Sequence, residues 1–367
     1  MAVALTGAVL IPFLVLVLTG QGQSEVTVIE RSGELLLRHG TPYLAEPRTV
    51  DEYTPYLPGM ALFGLPRALL GADGWPARLL GDARLWCAAV FLGCLATAVR
   101  PSWRGATPRS APHPGSRPPR AGEHASGGPS VPVIAVTALL ASPPVALPLC
   151  VSGVDLPLTG LCVLALTLAD RARPLAAGSA LALACALKWT AWPAVAVAVA
   201  LLAVTAGRGP ALRAAVTAVL GTAALVLPGA LRSPGPLLRQ VFAFPTGRGG
   251  LPTPASSPLP GRLLADLGPG GWCAALALLL LAGLAVAASL LRRPPRNVRA
   301  AADRLALGLT LAFLLAPAGR FGYLALPAVL ALLPRLRSAP AAGPIRSPHP
   351  LPSAAPRPRA PQVVPAP

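Results

Sequence analysis

The stretch "SEVTVIERSGE", residues 24–34, holds three glutamates, Glu25, Glu30 and Glu34, in a chain with only 13 Asp+Glu against 31 Lys+Arg. Two further acids, Asp51 and Glu52, stand directly before the aromatic run "YTPY" (53–56). A carboxylate held at a fixed position can serve as a general base that takes a proton from an acceptor hydroxyl. The same reaction needs a cation close by to hold an anionic leaving group. Lys188, the only lysine, and Arg320 in "PAGRFGYLALP" are candidates for that cation. Tyr53 and Tyr56, beside the second pair of acids, are candidate substrate-binding residues.

The elements that must position these groups follow from composition. The 367 residues are 54% hydrophobic and 12% charged, whereas soluble domains carry about 25% charged residues. Such a chain cannot cover its surface in water, so it reads as an integral membrane protein. Its 46 prolines and 36 glycines are compatible with that class, because both are more frequent in membrane helices than in soluble ones. The net charge of +18 does not imply nucleic acid, since the arginines lie in short patches between apolar runs. The six cysteines lie in or beside apolar segments without zinc-ligand spacing and read as small packing residues.

Runs of about 20 apolar residues, with about 17 as a lower limit, can span a bilayer core. Ten such candidates occur, at 2–19, 85–99, 131–149, 151–169, 174–189, 190–206, 211–231, 272–291, 302–318 and 321–334. The long stretch 174–206 is divided at "LKWTAWP", where Lys188, two tryptophans and Pro193 suit a membrane-surface turn. With a cytoplasmic N-terminus and strict alternation, every inner segment carries an arginine excess. Those segments hold three acids, Glu123, Asp170 and Asp303, and the remaining acids fall outside. This is the asymmetry that membrane insertion imposes, and it places the C-terminus in the cytoplasm too. The first run lacks a basic flank and an A-x-A site, so it reads as an uncleaved helix rather than a signal peptide.

The expected architecture is therefore an all-α polytopic membrane domain over 1–337 with about ten transmembrane helices. The basic inner segment 100–130 and the tail 338–367 are rich in Pro, Ala, Ser, Gly and Arg and are expected to be disordered. His113, His124 and His349 fall within them. The longest outer loop, 20–84, contains eight of the 13 acids: Glu25, Glu30, Glu34, Glu46, Asp51, Glu52, Asp73 and Asp82. Its apolar part, within 50–71, is interrupted by Pro58, Pro66 and Arg67 and reads as an interfacial or re-entrant helix.

Several motifs resemble a known family. "SEVTVIERSGELLLRHGTPYL" is similar to the "S-D-x-x-V-Y…G…L…G…P-Y" stretch of glycosyltransferase family 87, whose actinobacterial members include mannosyl- and arabinofuranosyltransferases that use polyprenyl-phosphate sugars. "DEYTPYLPGMALFGLPRALLG", "SGVDLPLTGLCVLALTLADRARPLAAG", "ALKWTAWP", "ASSPLPGRLLADLGP" and "APAGRFGYLALP" extend the likeness over nearly the whole chain after residue 20. The architecture looks like the GT-C glycosyltransferases, polytopic proteins with a catalytic acid in the first outer loop.

The resemblance implies a cell-membrane hexosyltransferase, with mannose the leading sugar. A polyprenyl-phosphate sugar would be its co-substrate, and a glycolipid or cell-wall glycan its acceptor. It implies no resident cofactor; the sequence shows no metal-ligand cluster, and its arginine pattern argues against a nucleic-acid partner. By position the family's catalytic aspartate falls on Glu25, a departure from the motif, as is Ile29 where the motif has Tyr. Asp51 and Glu52 are the alternatives for the base.

A lipid phosphate requires cations at the outer surface, and Lys188, Arg232, Arg239, Arg248, Arg262 and Arg320 are available there. Lys188 would either bind phosphate or snorkel to the interface. Arg320 would either pair with phosphate or cap a helix C-terminus. Asp155 in "VSGVDLP" would bond an acceptor sugar, pair with Lys188 or act as a helix N-cap. His39 is the only outer histidine and reads as a solvated loop residue. Glu30 and Glu34 are expected to form a solvated helical face with Arg31 and Arg38. The alternatives to a transferase are a lipid-linked sugar transporter or flippase, and a non-catalytic relative.

Overall fold

A computed structural model of the chain describes residues 2–99 and 131–337. The basic segment 100–130 and the tail 338–367, with the three histidines they contain, lie outside the described residues. Among the described residues the architecture is helical, with one isolated parallel bridge between Ser256 and Gly319 and no strand.

Each of the ten apolar runs falls mostly on helix. Helix α1 covers residues 2–18 and contains a π turn at Thr6–Leu10. In the 20–84 segment lie α2 (Ser24–His39), α3 (Leu65–Leu70) and α4 (Gly74–Gly81). The next helices are α5 (Ala83–Val99), α6 (Val131–Ala141), α7 (Pro143–Val151) and α8 (Leu156–Asp170). They are followed by α9 (Pro174–Leu187), α10 (Trp192–Thr205) and α11 (Arg208–Arg232). The last four are α12 (Pro260–Ala265), α13 (Pro269–Arg292), α14 (Val298–Leu315) and α15 (Ala325–Arg337).

By length and composition, two of these helices, α11 and α13, are suited to crossing a membrane alone. The number rises to four if the bent pairs α4–α5 (48°) and α6–α7 (58°) each count as one span. The second bend falls at Ser142, directly before Pro143 and Pro144, where the prolines remove backbone donors and exclude α geometry from the preceding residue. Other apolar helices are shorter. Helix α9 has 14 residues, and at 1.5 Å per residue it covers about 21 Å of a hydrocarbon core that is about 30 Å thick.

The expected break in the stretch 174–206 is present, and it falls at Lys188. Helix α9 ends at Leu187, Lys188 is extended (φ −156°, ψ 136°), and a 3₁₀ turn at Trp189–Ala191 leads into α10. Pro193 occupies the first turn of α10, where its missing N–H has no intrahelical partner to lose.

Small residues draw the helices together, as in other membrane bundles. A Cβ added at Gly178 in α9 would stand 2.7 Å from the carbonyl oxygen of Ala214 in α11, so the two backbones touch there. The buried core runs through α5, α8, α9, α10 and α14 and includes Phe91, Leu158, Leu166, Leu181, Leu201 and Leu305.

Helix α2 buries Val26, Val28, Ile29, Ser32 and Gly33 on one face. It ends at Gly40, whose φ of 70° is the left-handed C-terminal stop that glycine favours. The apolar part of 50–71 differs from the interfacial or re-entrant helix read from the sequence. It forms a 3₁₀ turn at Val50–Glu52, a second over Pro58–Gly64, and then the short α3. Pro58, Gly59, Met60 and Ala61 are buried, and the Leu57 N–H donates to the Leu187 carbonyl (3.0 Å). A Cβ at Gly33 would lie 2.3 Å from the Gly64 carbonyl carbon, so this segment is pinned against α2 as well as α9.

The helix ends segregate. Asp155 and Lys188, at the start of α8 and the end of α9, meet at one end of the bundle. At the opposite end of α8, Asp170 accepts a hydrogen bond from the Val298 N–H at the start of α14 (2.9 Å), and Arg335 pairs with Asp303 (2.5 Å). These are the two groups of segments that strict alternation assigns to opposite membrane faces.

Candidate active site

Glu25 lies in the first turn of α2, and its carboxylate is held from two sides. Arg320 donates to Oε1 at 3.1 Å, and the Ser152 hydroxyl donates to Oε2 at 2.7 Å. The side chains of Glu25 and Arg320 keep 24% and 33% of their exposure, so both remain reachable from the cavity they line. The turn bearing Arg320 is fixed by the segment 255–257. The Gly319 N–H donates to the Ala255 carbonyl, the Ser257 N–H donates to the Gly319 carbonyl (both 3.0 Å), and the Phe321 N–H donates to the Ser257 hydroxyl (3.3 Å).

A second pair stands beside the first. Lys188 Nζ donates to Asp155 Oδ1 at 2.8 Å. Asp155 precedes α8 but makes no side-chain capping bond, so of its three expected roles the structure shows the pairing with Lys188. The ammonium is 5.5 Å from the ring centroid of Tyr56 and 5.1 Å from that of Tyr323, within range of cation–π attraction. The break between α9 and α10 supplies the geometry, because extended backbone at Lys188 turns its side chain away from either helix axis.

These groups line one cavity of about 440 Å³, with Tyr53, Asp51, Trp189, Trp192 and Phe244 among the other residues on its wall. Part of the lining is apolar, from Leu279, Leu309, Ala312, Phe313 and Leu326. Tyr53 stacks on Phe244 with centroids 4.2 Å apart, and its hydroxyl donates to the Gly249 carbonyl. Gln240, fully buried, accepts from the Thr54 N–H (3.0 Å) and donates to the Leu44 carbonyl (2.6 Å), which holds the "YTPY" segment against the wall.

The structure thus brings Glu25, Asp51, Tyr53, Tyr56, Asp155, Lys188 and Arg320 to one cavity. It places Glu52 elsewhere. The Glu52 carboxylate accepts from the backbone N–H groups of Arg48 (2.5 Å) and Thr49 (3.3 Å), closing a capping box on its own 3₁₀ turn. The Arg48 bond, chief among several causes, holds its carboxyl below the ordinary carboxylate range.

The other candidate cations are engaged away from the cavity. Arg232 and Arg239 donate to the carbonyls of His39 and Ala45, Arg248 lies 3.6 Å over the Trp272 ring, and Arg262 pairs with Asp266. The expected solvated face of α2 is present only in part. Glu34 pairs with Arg38 at the exposed surface (2.9 Å), but Glu30 pairs with Arg67 (3.1 Å) and accepts from the Ala83 N–H (3.2 Å). Arg31 donates instead to the Asp51 carbonyl at 2.6 Å. The 50–71 segment packs against α2 there and partners Glu30 and Arg31, while Glu34 and Arg38 stay in water.

Sequence reasoning did not single out Ser152 or Tyr323. Ser152 stands three residues before Asp155 in "VSGVDLP", and Tyr323 three after Arg320 in "GRFGYLALP". Nothing in their local pattern distinguishes them, since both act through partners distant in the chain. Among the described residues no group of three or more His, Cys, Asp or Glu is arranged to hold a metal ion.

The sequence model of a family described as glycosyltransferase family 87 matches residues 53–317. No curated protein and no solved structure matches the chain. The matched range contains Tyr53, Tyr56, Asp155 and Lys188. Glu25 and Arg320 flank it on either side, and only the folded structure joins them to the rest. The match covers well over half of the chain, which therefore belongs to glycosyltransferase family 87.

Proposed function

We propose that this membrane glycosyltransferase moves a hexosyl residue, with mannose the first candidate, from a polyprenyl-phosphate sugar to an extracytoplasmic glycolipid or polysaccharide. The observation that carries this reading is the pairing of two carboxylates with two cations, Glu25–Arg320 and Asp155–Lys188, on one cavity whose wall is otherwise largely aromatic and apolar, with Asp51 the further acid on it. Cations suit a phosphate, aromatic rings suit the faces of a sugar, and apolar side chains suit a lipid chain.

In this reading Arg320 and Lys188 hold the donor phosphate. Glu25 accepts the proton of the acceptor hydroxyl as its oxygen attacks the anomeric carbon. The bond from that carbon to the phosphate oxygen breaks, its electron pair stays on the phosphate, and polyprenyl phosphate leaves. Attack opposite the leaving group inverts the anomeric configuration. Asp51 lies on the same wall and is the alternative base. The lipid-linked sugar is a co-substrate, and no resident cofactor is invoked. A cell-membrane protein of about ten spans with both termini in the cytoplasm would open this cavity to the extracytoplasmic side.

Purified protein in lipid nanodiscs, given radiolabelled polyprenyl-phosphate mannose and an alkyl mannoside acceptor, tests the proposal. One polyprenyl phosphate should be released per sugar transferred. A panel of lipid-phosphate sugars that gives no transfer, while reconstituted vesicles show movement of the intact lipid-linked sugar, would replace the transferase reading with that of a flippase.

A further inference from the structure

The two chain segments that carry Glu25 and Ser152 are both bonded to one buried guanidinium, that of Arg84. Arg84, the second residue of α5, is 2% exposed, and Asp82 before it is 3% exposed. Their pairing is bidentate: Arg84 Nε donates to Asp82 Oδ1 (2.9 Å) and Nη2 donates to Oδ2 (2.7 Å). The third nitrogen, Nη1, donates to two backbone carbonyls, those of Gln21 (2.8 Å) and Cys150 (3.0 Å). Gln21 lies four residues before Glu25, and Cys150 two residues before Ser152. Between these points the Gln23 N–H donates to the Val151 carbonyl at 3.1 Å. Gly22 lies against the clamp, where a Cβ would stand 3.3 Å from Arg84 Nη1 and 3.5 Å from the Val151 carbonyl oxygen.

We propose that Arg84, oriented by Asp82, is a positioning residue for the reaction: it ties the chain entering α2 to the end of α7 and so sets Glu25 against Ser152. Taking two charges out of water is costly unless geometry and hydrogen bonding are both satisfied, and here both carboxylate oxygens and each guanidinium nitrogen have partners. A lysine cannot reproduce the clamp, because a single ammonium lacks the planar fork that meets a carboxylate and two carbonyls at once. A base displaced by even 1 Å can cost about 100-fold in rate, so a residue outside the cavity can govern the chemistry through register alone. The inference rests on the proposed role of Glu25 as base, and its test includes an arm independent of that role.

Arg84→Lys and Asp82→Asn in the full chain, in nanodiscs, would be compared with wild type by hydrogen exchange without substrate. They would then be compared by steady-state transfer from polyprenyl-phosphate mannose to an alkyl mannoside. Faster exchange confined to residues 21–26 and 148–155 is expected, with the core of α8, α9 and α10 unchanged. Turnover should fall by at least about tenfold while the donor KM stays within about twofold, since the donor-binding cations are not displaced. Unchanged exchange in those two segments, or a rise spread evenly over the protein, would overturn the clamp, as would failure of both variants to fold, which would make the pair a general stabiliser. If wild type transfers nothing, the transferase reading fails, and the exchange arm alone decides the clamp.

Discussion

Glu25 and Arg320 lie 295 residues apart in the chain and 3.1 Å apart in the fold. The carboxylate expected to take a proton is thereby bound to a cation expected to hold phosphate. The donor's phosphodiester monoanion competes for that guanidinium, and its arrival frees one oxygen of Glu25. Donor should therefore bind before acceptor. Initial-rate and product-inhibition patterns should be ordered, with acceptor affinity rising when donor or polyprenyl phosphate is present; random-order patterns would count against the exchange of partners.

Arg320 and Lys188 should differ in what they contribute. Arg320→Ala removes a partly buried cation from the phosphate position, and the donor KM should rise by about tenfold or more, a loss of roughly 1.4 kcal/mol or more. Lys188→Met also leaves Asp155 without its cation, so it should lower thermal stability as well as activity. Adding Asp155→Asn to Lys188→Met should recover part of the lost stability, because residues in one ion pair are not additive. Unfolding curves of the two single variants and the double variant measure this.

Glu52 caps its own turn and lies off the cavity. Glu52→Gln keeps a carbonyl oxygen for the Arg48 and Thr49 N–H groups, so transfer should stay within about threefold of wild type, far from the effect of removing a general base. A loss as large as that of Glu25→Gln would return Glu52 to the list of candidate bases.

Burial raises the Glu30 carboxyl above its ordinary value of 4.5, against the opposing effects of Arg67 and of the Ala83 N–H. A raised value in the folded state means that the protonated form favours folding. That contribution is complete below about pH 4.5 and is lost as pH rises through the folded value. Glu30→Gln removes the titration, so its stability relative to wild type should improve between about pH 4 and pH 7. Thermal unfolding in detergent at both ends of that range gives the sign.

Helix positions were legible because a span must be apolar along its length, and the break at Lys188 was marked by its tryptophans and proline. The acids and cations of the site were legible by a related argument: charge at the end of an apolar run is conspicuous where only 12% of residues are charged. The partners were not. Ser152 reaches Glu25 across 127 residues, and Arg84 reaches Cys150 across 66. Neither spacing leaves a periodic trace. The local spacing of Glu30 to Glu34 is that of an exposed helical face, while the segment that covers Glu30 is held there by backbone contact between Gly33 and Gly64.

The most direct measurement is single-turnover transfer by Glu25→Gln with saturating polyprenyl-phosphate mannose in nanodiscs, set beside Asp51→Asn. With Glu25 as the base, Glu25→Gln should bind the donor but transfer at least about 100-fold more slowly than wild type, the loss expected for a general base, while Asp51→Asn retains most of the rate. Transfer by Glu25→Gln at the wild-type rate would contradict that role.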